Sequence, residues 1–167
     1  MGLGQSLLPE LDHEGRGTRA TLERVPDAKL EWRPHAKSMT LGGLATHLAG
    51  LPTWMAITVD EDSFDLAPPG ASPPRREALT SRAAILATFD RNLAEARAIL
   101  AGATDETLLA PWTLRKGGND VFTMPRIAVV RSFILNHTVH HRAQLGVYLR
   151  LLDVPVPSLY GPSADEQ

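Results

Sequence analysis

Two segments of this chain repeat apolar residues at alternating intervals of three and four, and that spacing decides most of what it can fold into. Leu41, Leu44, Leu48, Leu51 and Met55 form one series, and Leu86, Phe89, Leu93, Ala96 and Leu100 form the other. A helix of 3.6 residues per turn gathers such residues into one stripe that has to be buried against a second apolar surface. A strand would scatter them over both faces.

Two further segments complete the pattern. Leu7, Leu11, Thr18, Leu22 and Val25 return to one face of a helix over residues 5–24, although Gly15 and Gly17 weaken its middle. The longest periodic stretch opens with Pro125 in a first turn and stops at Asp153-Val154-Pro155-Val156-Pro157. Its inward series is Ile127, Val130, Ile134, His137, His141, Leu145, Tyr148 and Leu152. Thr40 or Ser38 caps the second helix, and Pro52 is placed to kink it. The third helix runs from about Thr80 to Leu100. Four amphipathic helices predict an all-α four-helix bundle, one domain over residues 1–167.

The intervening segments are connections. Residues 25–38 hold two prolines and no sustained period. Residues 60–74, acidic and then proline-rich, are too long for a tight turn and read as a crossover between helices 2 and 3. WTLRKGGNDVFTM has β-prone runs on both sides of Gly117 and Gly118, which predicts a small hairpin or extended loop between helices 3 and 4. PVPSLYGPSADEQ reads as an irregular tail.

Composition removes several functions. Seventeen Lys and Arg against nineteen Asp and Glu leave a net charge of −2, which argues against a nucleic-acid binder. The chain has no cysteine, so a disulfide, a thiolate nucleophile and an iron–sulfur cluster are all excluded. Any metal falls to His, Asp or Glu. No apolar run approaches the roughly 18 residues of a membrane span, and MGLGQSLLPELDHEGRG lacks the pattern of a secretory signal. The expectation is a cytoplasmic protein with no membrane partner.

The informative anomaly lies in helix 4, where His137 and His141 occupy positions at which the periodicity asks for aliphatic residues. Four residues advance a helix by about 400°, which leaves the two imidazoles on one face, about 6 Å apart along the axis. Both rings can then reach one ion. The competing reading, two core histidines bonded to Asn136, Gln144 or backbone, carries about even weight for an isolated H-x-x-x-H. His47 shifts the balance: it lies at the edge of the helix 2 stripe, with Trp54 two turns further along the same side. Three neutral imidazoles buried together are hard to satisfy, whereas a divalent cation takes a lone pair from each. His140 stands second as a ligand, about 60° off the His137 direction. His13 is a candidate fourth ligand or substrate contact, and His35 falls in an exposed connection.

Taken together, LATHLAGLPTW (44–54), LNHTVHHRAQLGVYLRLLDVPVP (135–157) and the ending YGPSADEQ resemble the DinB/YfiT-like metalloenzyme family over essentially the whole chain. The resemblance implies a four-helix bundle in up-down-down-up order and a metal held by one histidine of helix 2 and two of helix 4. By motif these are His47, His137 and His141, and His140-His141-Arg142-Ala143-Gln144 matches the helix 4 signature. It further implies a homodimer, and chemistry like that of relatives that are transferases or isomerases using low-molecular-weight thiols.

A three-histidine set leaves a coordination position open, as catalytic zinc sites do. The absence of a carboxylate inside H-x-x-x-H counts against a metalloprotease, and there is no G-x-S-x-G or phosphate loop. The expected enzyme, as the resemblance implies, performs thiol-dependent transfer on a small-molecule substrate. Hydrolysis by metal-activated water and a non-catalytic, stress-associated metal-binding protein are the alternatives. Zinc is the expected ion, with nickel or iron as substitutes. Trp54, Tyr148 and the connection between helices 2 and 3 are the expected pocket walls, and Arg142 or Gln144 is placed to orient substrate, to support the ligands or to lie on the surface, with equal weight.

Overall fold

The computed structural model describes residues 2–70 and 77–166. Residues 71–74 of the expected crossover therefore lie outside the described residues. Helix α1 spans Leu3–Leu22, α2 Leu41–Gly50, α3 Trp54–Asp60, α4 Arg82–Gly102 and α5 Asp105–Leu109. Strand β1 is Ser63–Asp65, β2 Pro111–Lys116 and β3 Asn119–Pro125. A short helix α6, Arg126–Val129, leads through a π-helical stretch, Val130–Asn136, into α7, His137–Leu151.

Helix α1 packs on α4 and α7, and α2 packs on the same two. Helix α1 runs unbroken through both of its central glycines, because close packing outweighs their poor propensity. A β-carbon at Gly15 would stand 2.6 Å from Leu93 Cδ2, so glycine is what lets α1 approach α4. Thr40 caps α2 by accepting the Gly43 N–H at 3.0 Å, and Ser81 caps α4 by accepting that of Ala84 at 3.1 Å. Pro52 does more than kink the second helix. It cannot donate to the α-helical ladder, and the chain passes through a 3-10 turn, Leu51–Thr53, before resuming as α3.

The all-α expectation is corrected by a three-stranded sheet in the order β1-β2-β3. The hairpin is there: β2 and β3 pair antiparallel around Gly117 and Gly118, with φ of +64° and +79° that suit glycine in a two-residue turn. The third strand is the surprise. Ser63–Asp65, inside the expected crossover, pairs parallel with Thr113–Arg115. The Asp65 carboxylate accepts the backbone N–H groups of Ala67, Gly117 and Gly118, stitching that connection to the hairpin turn and holding its pKa below the usual carboxylate value. Under the sheet, Trp112 is fully buried and donates its indole N–H to the Ile57 carbonyl at 3.1 Å, which fixes the sheet on α3.

Helix 4 also departs from a plain heptad reading. The π stretch adds a residue to its turns, and the buried stripe beyond it runs through Thr138, His141, Arg142, Leu145 and Leu149, while His137, Tyr148 and Leu152 are only half-buried. The tail has no regular structure yet is pinned down. Asp165 bonds Arg150 and the Val156 N–H, and Glu166 bonds Arg24 and Ser158.

Candidate metal centre

His47 projects from α2, and His137 and His141 from the first turns of α7. The helix spacing alone brings the last two together, and packing of α2 on α7 brings in the third. The three Nε2 atoms converge: His47 lies 3.4 Å from His137, and His137 lies 2.8 Å from His141. Ring centroids are 4.5–5.1 Å apart. Of the groups able to hold a metal among the described residues, these three form the one cluster.

Hydrogen bonding decides what those Nε2 atoms present. The Gln144 carboxamide oxygen lies 2.7 Å from His141 Nδ1, and since an oxygen there only accepts, Nδ1 carries the proton. His137 bonds the Phe133 backbone one turn earlier, and with Nε2 turned into the cluster that bond falls to Nδ1. Both neutral rings therefore aim unprotonated Nε2 lone pairs at each other across 2.8 Å. A cation resolves that conflict. At a metal–nitrogen length of about 2.0–2.1 Å, tetrahedral coordination separates ligand nitrogens by about 3.3–3.4 Å and right-angle coordination by about 2.9 Å. The observed separations fall near these values, so the donor set fits a divalent ion.

The surroundings favour the neutral ligands. Burial is the main cause that pushes His137 below the ordinary histidine pKa, aided by charge repulsion from His141 and His140. Burial likewise lowers His141, against the opposing bond to Gln144. The histidines nonetheless stand at the rim of the apolar seam rather than in its centre, with His47 and His137 half-buried and His141 9% exposed. A rim position is what an accessible site requires.

The other sequence candidates fall elsewhere. His140 is exposed, its ring 4.9 Å from that of His141 but outside the converging set. His13 is exposed and packs on Tyr160 at 5.7 Å, and His35 is exposed and accepts the Lys37 N–H. Arg142 is turned toward α1 and the tail. Its guanidinium is 3% exposed and engaged by Glu14, Thr18 and Tyr160, so it clamps α7 to α1 and the tail. Trp54 and Tyr148 occupy opposite ends of the site: Trp54 packs on Phe133, one turn before His137, while Tyr148 lies two turns beyond His141, edge-on to Trp32. Past the segment outside the described residues, Leu79 donates its N–H to Thr46, the neighbour of His47. Sequence periodicity missed the π stretch and with it the Phe133 carbonyl as partner of His137, a position with no side-chain signature.

No helix of the described residues is long and apolar enough to cross a membrane. No curated protein matches the chain. Among solved structures, a DinB-like protein from Bacillus cereus ATCC 10987 aligns with a TM-score of 0.70 at 23% identity, covering 93% of this chain and 97% of its own. A DinB-like protein from Bacillus subtilis aligns with a TM-score of 0.69 at 15% identity, covering 95% and 99%. Both likenesses concern the fold. The DinB superfamily model matches residues 10–145, and the chain belongs to that superfamily.

Proposed function

We propose that the protein binds one divalent metal ion through Nε2 of His47, His137 and His141 and uses it in thiol-dependent transfer on a small molecule. The observation that carries this reading is the convergence of Nε2 atoms whose partner nitrogens are already committed, on His141 to Gln144 and on His137 to Phe133. Zinc is the ion proposed, ahead of nickel and iron. When bound, such an ion supplies Lewis acidity, favouring the ionised form of a thiol or of water at an open position. The chain's own part is to hold three neutral ligands in fixed tautomers and to leave their outer side at the rim of the helix seam. Having no cysteine, the chain would take the thiol of such a transfer from solution.

Metal analysis of single alanine variants tests the ligand set. His47→Ala, His137→Ala and His141→Ala should each lose metal, and full retention by His141→Ala contradicts the assignment. Activity is tested by incubating loaded protein with electrophiles, with and without low-molecular-weight thiols. Turnover only with thiol supports transfer, equal turnover without it indicates hydrolysis, and no turnover in either favours a metal-binding role without catalysis.

We further propose that the helices form one four-helix bundle domain in up-down-down-up order and that two copies pair. Exposed Val147 and Leu151, one turn apart on α7, support a homodimer. Light scattering at the 18.1 kDa monomer mass over a wide concentration range would reject it.

A further inference from the structure

Aromatic residues are scarce in this chain, four Phe, three Trp and two Tyr, yet five of these nine meet in one place. Phe64 of β1, Trp54 of α3, Phe133 of the π stretch and Phe122 of β3 form a continuous strip, with successive ring centroids 5.4, 5.9 and 5.3 Å apart. Trp112 closes the cluster, fully buried, 6.5 Å from Trp54 and 6.3 Å from Phe122. Each of the four strip rings is only half-buried. The four pack on the buried cluster around Trp112 and stay partly uncovered, and contiguous rather than scattered apolar surface is what marks a binding site.

The strip adjoins the histidines. Phe133 precedes His137 by one helical turn and accepts the bond from its ring, and Trp54 follows His47 by about two turns. The chain leads from α2 through the 3-10 turn to Trp54 at the start of α3, and from Phe133 in the π stretch into α7, so a molecule seated at the histidines and extending this way meets the aromatic strip. A π-helical stretch at this point is a further mark of function, since such insertions cost regular helical bonding and concentrate at sites.

We propose that the strip Phe64–Trp54–Phe133–Phe122 binds a flat apolar group of the substrate, so that the site takes molecules with a metal-binding head and an aromatic body. This rests on the metal reading above and narrows its substrate class.

Two metal-binding probes with the same head and different bodies, benzohydroxamate and acetohydroxamate, separate the contributions when titrated into cobalt-loaded protein and followed by the visible spectrum. The aromatic probe should bind roughly tenfold tighter or more, from ring contact and apolar burial. Phe122→Ala and Phe64→Leu should remove most of that preference while leaving metal content and acetohydroxamate affinity unchanged. Both leave Phe133 and its bond to His137 in place, and both sit on outer strands of the sheet, β3 and β1, half-buried. Equal affinity of the two probes for the wild-type protein, or a preference that survives both substitutions, overturns the proposal. A metal-free arm keeps the two readings apart: benzyl alcohol should shift the Trp54 indole resonance in the wild-type protein and not in Phe122→Ala. Absence of that shift rejects the strip even if cobalt binds, and its presence upholds the strip even if the histidines take no ion.

Discussion

Gln144 and Arg142 are two residues apart on α7 and serve different ends. The Gln144 carboxamide fixes the tautomer of His141, a supporting contact whose loss typically costs about 10–100-fold in metal affinity. Gln144→Ala should lower affinity by that order in a competitive chelator titration without unfolding the protein, because the side chain is exposed. Gln144→Glu keeps an acceptor and should retain tight binding. Arg142 acts on stability instead. Its ion pair with Glu14 is 2.6 Å long with side chains 3% and 12% exposed, and Arg142→Ala leaves that largely buried carboxylate without its cation, held by the Tyr160 hydroxyl at 2.8 Å. The expected loss is about 3 kcal/mol in urea unfolding, partly restored by adding Glu14→Gln. Full stability of the single variant would show that the tail and α1 are held by other contacts.

At the scale of elements, the histidine pair gives α7 a pH dependence in the metal-free protein. Both rings have folded pKa values lowered from 6.5, with burial the main cause, so the unfolded chain takes up protons more readily. Above 6.5 both states are neutral and no penalty exists. As pH falls below 6.5 the unfolded state gains protons first, and stability declines until the folded rings also protonate. Denaturation midpoints measured from pH 8 to pH 5 should fall across that window, and His137→Ala combined with His141→Ala should flatten the curve. The same elements show what the sequence made legible. Three-and-four spacing located α2, α4 and α7, and the cap at Thr40 follows from side-chain chemistry that is local in sequence. Strand β1 escaped notice because three residues have too little pattern of their own, and its partner lies some fifty residues away, at Thr113–Arg115. The π stretch escaped because Ile127, Val130 and Ile134 read as an ordinary helical series, and the extra residue shows only in which residues beyond it are buried. Sequence leaves the role of Arg142 open because its partner Glu14 comes from α1, a contact that only packing reveals.

For the whole molecule, an ion at the histidines would join helices ninety residues apart in sequence, His47 on α2 to His137 on α7. The unfolded chain does not hold these groups together, so binding free energy becomes folding free energy. At a free-ion concentration one hundred times the dissociation constant the gain is about 2.7 kcal/mol. A chain of this size shifts its Tm by roughly 2–4 °C per kcal/mol, so saturating metal should raise Tm by about 5–10 °C. Calorimetry with zinc, and then with excess chelator, measures the difference directly. His47→Ala should abolish the metal-dependent part, because removing the α2 ligand leaves only the two α7 ligands, which sit on one helix and cross-link nothing. Asp165→Asn, which loosens the tail at Arg150, should lower Tm with and without metal and leave the difference intact. An unchanged Tm at saturating zinc in the wild-type protein would mean that α2 and α7 are not bridged, and the three histidines would then need another account of why their Nε2 atoms face one another.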